Sequence, residues 1–245
     1  MVERGALVID LSLISLTPEQ FILEVVDPDE IVVINLDRRP DRWEAMHEAW
    51  PPEVASRFVR FLATDGQLVP VAEAEANIHG RPISLERSAG EIGCRNSWIR
   101  AVEQHGPALY LEDDARPCEL WPYGPPPDNA GVVLLGGNLG NKVSEPGWAA
   151  ILGGVWGAHA VWIRTQPAAG SLVQAWRNPV GTQRSLDLAW RIPLRQAHAV
   201  IAVPQIVIQV DTGSDIDKGR VFAPEEDTAY WPWCSLKGDR ERRQR

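Results

Sequence analysis

The 245-residue chain is long enough for one large domain or two small ones, and 44% hydrophobic residues suffice for a sizeable core. A formal net charge of −9 argues against a general nucleic-acid binder, which needs clustered Lys and Arg, and favours a small molecule or a neutral acceptor as partner. The three cysteines, Cys94, Cys118 and Cys234, are far apart, odd in number and without a CxxC pair, which suggests neither a disulfide framework nor a zinc site.

The chain opens on an apolar run, ALVIDLSLISL, but Asp10 interrupts it, and Glu3 stands beside Arg4 where a signal peptide would carry net positive charge. No stretch reaches the roughly 20 apolar residues of a membrane span, so the cytoplasm is the expected location. TPEQFILEVV (17–26) reads as a short helix: Thr17 caps, Pro18 suits the first turn, and Gln20 completes a capping box. Residues 1–30 are therefore set apart as an N-terminal extension that packs on the domain or on a partner.

IVVINL (31–36) reads as a buried strand, and in DRRPDRWEAMHEAW the residues Trp43, Met46 and Trp50 recur at helical spacing until Pro51 and Pro52 stop them. RFVRFLA (57–63) predicts a second strand ending at Thr64, Asp65 and Gly66, followed by loop over 67–87. Ser88 and Glu91 form a second capping box for a helix running to Gln104, with Gly106 placed to end it. ALYLE (108–112) and GVVLLGG (131–137) read as strands around the proline-rich turn WPYGPPPD. GAHAVWIR (157–164) is a further strand, helices are expected near 167–177 and 184–191, and AVIAVPQIVIQV (199–210) is a last strand. Alternating strands and helices argue for an α/β fold with a mostly parallel central sheet flanked by helices, whose ligands gather beyond the carboxyl ends of the strands.

Three acids in a row, Glu112, Asp113 and Asp114, end the strand ALYLE. They are either a solvated strand end or a site for a hard cation such as Mg²⁺ or Mn²⁺, which takes carboxylate oxygens and shares its coordination with water and phosphates. Arg38, Arg39 and Arg42 lie beyond the first strand at the start of a helix, where arginines and the helix dipole both favour phosphate; the plainer reading is a solvated turn with Asp37 and Asp41 as local partners. Of the five histidines, His159 inside GVWGAHAVWI is the one that looks placed, with a satisfied core histidine as the commoner outcome. Eleven tryptophans suit core and interface packing, the sharper alternative being platforms for sugar rings. No P-loop or GxGxxG is present, and LGGNLGN (135–141) lacks the Lys-Ser/Thr end of a Walker A loop.

In this order VVINLDRRPDRW (32–43), GEIGCRNSWIRAV (90–102), ALYLEDDARP (108–117), GAHAVWIRT (157–165) and VPQIVIQVDTGSDI (203–216) resemble glycosyltransferase family 25, the family of bacterial lipooligosaccharide and collagen galactosyltransferases. The resemblance spans residues 31–216 and leaves a Trp-rich, charged tail over 217–245. It implies a GT-A type nucleotide-sugar-binding fold and metal-assisted transfer of a hexose, galactose first, from a UDP-sugar to an acceptor hydroxyl with inversion. Asp114 is the implied first metal ligand, with Asp113 and Glu112 as its companions around Mn²⁺ or Mg²⁺. Asn35, Leu36, Arg38, Arg42, Asp65, Gly93, Glu112 and Asp113 are the implied contacts of the nucleotide sugar. Asp187, in RSLDLAW, is the first choice of base and Glu91 the second; a helix-surface or N-cap role is the structural alternative for Asp187, and a capping box for Glu91. The family commonly has Ser-His where this chain has Ser97-Trp98, which removes the polar role expected of that histidine. The acceptor is a glycan, a lipid-linked sugar, a peptide or a small metabolite. The competing readings are a non-catalytic binding or adhesion module that keeps the fold, and a phosphatase, for which no nucleophile motif is present.

Overall fold

A computed structural model of the chain describes residues 16–78, 83–118, 124–139, 147–152, 155–179, 185–203 and 205–210. The SDI segment, the apolar run before Leu16 and the charged tail lie outside the described residues.

The chain enters through α1 (Pro18–Gln20), which continues as a π-helical turn over Phe21–Val26. The capping box is formed reciprocally: the Gln20 N–H donates to Thr17 Oγ1 at 3.1 Å and the Thr17 N–H to Gln20 Oε1 at 3.0 Å. Phe21 and Ile22 are fully buried against Ile31 and Val33, so this part of the N-terminal segment belongs to the core.

β1 (Ile31–Asn35) leads through α2 (Pro40–Ala49) and α3 (Pro52–Ala55) to β2 (Phe58–Leu62). The span 67–87, expected to be loop, contains α4 (Val71–Ile78). Its sequence, VAEAEANI, carries helix propensity in alanines, whose small side chains give little periodic signal. The long helix α5 (Leu85–His105) starts before the predicted capping box: Ser84 is the N-cap, its Oγ accepting from the Arg87 N–H at 3.1 Å. Ser88 lies inside the helix, where its hydroxyl donates to the Ala74 carbonyl at 2.7 Å and accepts from Asn77 at 3.0 Å. Gly106 ends α5 at φ 66° as expected.

β3 (Leu109–Glu112) and the short β4 (Ala115–Pro117) follow, then β5 (Val132–Leu139), β6 (Gly147–Ala150) and β7 (Val155–Ile163). α6 (Gln166–Arg177), α7 (Leu186–Ala189) and α8 (Arg191–Gln196) lead to β8 (Val200–Val203) and β9 (Val207–Gln209). The single strand expected over 199–210 is thus two: β8 joins the main sheet, and β9 pairs with β4 in a separate two-stranded sheet.

The main sheet has seven strands in the order β2-β1-β3-β7-β5-β8-β6. β2, β1, β3, β5 and β8 run one way, and β7 and β6 run against them, so the sheet is mostly parallel and flanked by helices. One face packs Trp98 and Val102 of α5, Trp176 of α6 and Trp190 after α7 against Val32, Tyr110 and Val161. The other packs Met46 and Trp50 of the α2 region, Phe21, and Val207 of β9 against Ile31, Leu109 and Leu111. From β1 the chain crosses to β2 on one side and returns to β3 on the other, so the strand order reverses between β1 and β3. Open sheets take ligands at such a reversal, beyond the carboxyl ends of the strands. Among the described residues no helix is long and apolar enough to cross a membrane.

Candidate active site at the carboxyl ends of β1 and β3

Two sequence motifs meet at this reversal. Ile34 of β1 is in register with Glu112 of β3, which sets Asn35 beside the acidic run. Successive residues of a strand point to opposite faces. Leu109 and Leu111 lie with α2, and Asp113 continues on that side; Tyr110 lies with α5, and Glu112 continues on the other.

On the α2 side the Asp113 carboxylate is partnered on both oxygens. Asp113 is buried, with Oδ1 accepting from Arg42 Nη1 at 2.9 Å and Oδ2 from Asn35 Nδ2 at 2.7 Å. Asn35 Nδ2 also donates to the Arg39 carbonyl at 3.0 Å, and Asn35 Oδ1 accepts from Arg60 Nε at 2.8 Å, which fixes the amide's orientation. The Leu36 carbonyl caps this loop, accepting from the Arg39 N–H at 2.9 Å and from Arg60 at 3.3 Å. The three arginines of the basic cluster therefore separate: Arg42 turns inward to Asp113, Arg39 pairs locally with Asp41 at 2.7 Å, and Arg38 reaches Asp65 at 2.7 Å. Burial pushes the Asp65 carboxyl up, but Arg38 and the Gln67 N–H outweigh it and hold it below the ordinary value.

Beyond Asp113 the carboxylates Glu112 and Asp114 act on each other as like charges. Glu112 Oε1 accepts from the indole N–H of Trp98 at 3.1 Å, with the Cys94 thiol 3.9 Å away. Trp98 thus supplies a donor to the acidic motif, which corrects the expectation that the Ser-Trp departure leaves this position without a polar role. Asp114 Oδ2 accepts from Gln209 Nε2 of β9 at 3.0 Å, while Oδ1 is buried with no hydrogen-bond partner. Asp187, from α7, accepts the Gly157 N–H of β7. Burial and then the Asp114 charge push Glu112 well up from its ordinary value, with the Trp98 N–H opposing them. Burial and the neighbouring Asp113 likewise push Asp114 up, against Gln209, Arg42 and Arg116. Asp187 is pushed up to about 6, chiefly by burial and also by Glu91, with the Gly157 N–H working the other way. Burial drives the Cys94 thiol far up, and the charges of Glu112, Asp187, Asp114 and Glu91 push it in the same direction.

α5 is brought to this point by glycine. A Cβ on Gly93 would stand 2.8 Å from the Gly66 nitrogen and from the Thr64 carbonyl oxygen, so only glycine lets the turn after β2 lie against the helix. Ser97 fastens the contact, accepting from the Thr64 N–H at 2.8 Å and donating to the Gly93 carbonyl at 2.7 Å. Glu91, two residues before Gly93, is buried and paired with Arg87 at 3.4 Å.

The residues expected from sequence divide accordingly. Glu112 and Asp114 are the like-charged pair, Asp187 lies by Gly157 and Glu91 by Arg87; Asn35, Leu36, Arg42 and Asp113 form the clamp beside them; Arg38 and Asp65 sit at the loop ends, and Gly93 is a packing contact. Sequence reading missed Arg60, Trp98 and Gln209. For Arg60 the signal was an arginine inside the apolar alternation FVRFL, and for Gln209 a lone amide at the end of IVIQ.

Among the described residues no group of three or more His, Cys, Asp or Glu side chains is arranged to hold a metal ion by itself. Mg²⁺ and Mn²⁺ do not need one at a diphosphate site, where one or two carboxylates act with water and phosphate oxygens. Asp114, with a buried oxygen that lacks a partner, and the like-charged Glu112 beside it fit that demand. Asp113, with both oxygens engaged, fits it less well. No protein-family model matches the chain, so its likeness to a known family rests on the ordered motifs.

Proposed function

We propose that the chain is a glycosyltransferase with a GT-A type frame, transferring a hexose, galactose foremost, from a UDP-sugar to an acceptor hydroxyl. The observation that carries this reading is the pair of like-charged carboxylates at the strand-order reversal, Glu112 ending β3 and Asp114 just beyond it, with the Asp114 Oδ1 atom buried and left without a hydrogen bond. Such a group is costly to hold in a fold that does not use it, because buried like charges repel and are desolvated.

Asp114 with Glu112 would hold Mg²⁺ or Mn²⁺, the Trp98 N–H keeping Glu112 in place. The cation, when bound, supplies neutralising charge to the departing diphosphate. Arg38 and the amino end of α2 add positive potential from the β1 side. Asp187, pushed up to about 6, is ionised at neutral pH yet basic enough to take the acceptor's proton. That proton leaves as the hydroxyl attacks the anomeric carbon opposite the diphosphate, which inverts the configuration. Glu91, bound to Arg87, is the second choice of base.

The test is turnover of UDP-galactose and UDP-glucose by the full chain with and without Mn²⁺. Metal-dependent UDP release is expected. Metal-dependent UDP binding without release would make the chain a binding module instead. Neither binding nor release of any UDP-sugar would end the nucleotide-sugar reading altogether.

A further inference from the structure

β7 carries an irregularity that the proposed reaction has not yet used. Gly136 of β5 pairs with Ala160 of β7, and Asn138 with Trp156, so Gly157, Ala158 and His159 stand opposite the single Gly137. Such a bulge re-aims the backbone. Here Gly157 has φ 82°, a conformation that glycine adopts readily, and its N–H points to Asp187.

His159 is buried in the bulge. Its Nε2 lies 3.1 Å from the Val207 carbonyl of β9. A carbonyl oxygen only accepts, so Nε2 carries the hydrogen. Gly136 makes room for this contact: a Cβ there would collide with both the ring and the Val207 carbonyl. The opposite edge of the ring faces Gly157, where an added Cβ would be 3.2 Å from Nδ1. Two residues beyond Val207 on the same strand, Gln209 donates to Asp114. The imidazole therefore joins the strand that holds Asp114 to the bulge that holds Asp187.

We propose that His159 is a positioning residue that sets the placement of Asp187 relative to Asp114. The inference rests on the proposed transferase reaction for its effect on turnover, but its structural part stands without that reaction. Removing the donor unpairs a buried carbonyl and frees the bulge. A displacement of about 1 Å at a reacting group costs on the order of 100-fold in rate.

The experiment compares His159→Leu, His159→Asn and His159→Gln in the full chain. Leu has no donor, Asn is too short to reach Val207, and Gln carries its amide nitrogen at nearly the place of Nε2. Amide exchange on the metal-free protein reads the bulge directly: the Gly157 N–H should exchange at least about 10-fold faster in the Leu and Asn variants. It should stay near wild type in the Gln variant, and the amides of α5 should not change. In turnover, kcat should fall about 100-fold in the Leu and Asn variants with the donor KM within about 3-fold, and the Gln variant should recover most of the loss. Should His159→Leu fail to fold, His159→Asn and His159→Gln decide alone. Unchanged Gly157 exchange in the Asn variant, or kcat and KM moving together with exchange across the whole fold, overturns the proposal. A wild-type chain that turns over no UDP-sugar defeats the transferase reading alone, since Gly157 exchange still decides whether His159 holds the bulge.

Discussion

Asp113 and Asp114 are neighbours in sequence but experience opposite environments. Asp113 faces α2, where Arg42 and Asn35 engage both its oxygens. Asp114 acts on Glu112 as a like charge, with one oxygen held by Gln209 and the other buried without a hydrogen bond. One side of the acidic motif is electrostatically closed and the other is not. The contrast separates a carboxylate compensated within the fold on both oxygens from one that keeps a buried oxygen without a hydrogen bond. A buried pair contributes most visibly when it is broken, and a buried repulsion when it is relieved.

Breaking the closed side should have the largest effect on stability. Arg42→Ala leaves Asp113 buried and without its cation, and such losses amount to about 3–5 kcal/mol. Urea denaturation of the two proteins measures it. A loss under about 1 kcal/mol, the scale of an exposed pair, would mean that the clamp is not what holds the motif. Asp114→Asn should do the reverse. Turnover should drop by about 100-fold or more, as when a charge-stabilising group is removed from an active site. The melting temperature of the metal-free protein should rise, because one of the repelling charges is gone. A variant that loses both activity and stability would place Asp114 on the structural side of the comparison.

The Trp98 contact tests the open side more gently. Trp98→Phe keeps most of the packing but removes the indole N–H from Glu112, at a cost of roughly 0.5–1.5 kcal/mol for a hydrogen bond. Trp98→His, which restores a donor, should recover part of the lost turnover. If Phe and His behave alike, Trp98 serves packing alone.

The smallest expected effect is a slope with pH. A carboxyl whose folded pKa is raised binds its proton more tightly in the folded state, so stability falls as pH rises between the unfolded and folded values. For Asp187 that window runs from the ordinary 3.8 to about 6. Above it the contribution is flat. In the metal-free protein Asp187→Asn should flatten the decline of melting temperature across that window, and the wild-type kcat should climb through about pH 6 as Asp187 becomes able to accept a proton. An identical stability slope in wild type and variant would show that Asp187 is not buried with a raised pKa.

Much of the frame was legible because it is written locally. Trp43, Met46 and Trp50 marked α2 by their spacing, Gly106 ended α5, and Thr17 with Gln20 capped the first helix as their sequence suggests. The same local logic failed at Ser88 and Glu91. The four residues of a capping pattern look alike at a helix start and inside a helix, and packing against α4 made the choice. It failed again at 199–210, where a continuous apolar run divides between two sheets. Of the candidate site, the acids, the first-strand asparagine and Arg38, Arg39 and Arg42 were visible in the sequence, whereas Arg60 was not. Their division into clamp and open group was not.

The sequence by itself determined which residue types end each strand, and so that acids and arginines would stand together beyond the carboxyl ends of β1 and β3. Hydrophobic periodicity and turn chemistry act over a few residues and need no partner. Only the tertiary structure decided which acid met which partner. Arg42 and Asp113 are 71 residues apart, Gln209 and Asp114 are 95 apart, and the parity of the β3 pleat determines which carboxylate faces which helix. Hydrogen bonds and charges at such separations depend on the packed arrangement of sheets and helices, and that arrangement leaves Asp114 Oδ1 buried with no hydrogen-bond partner.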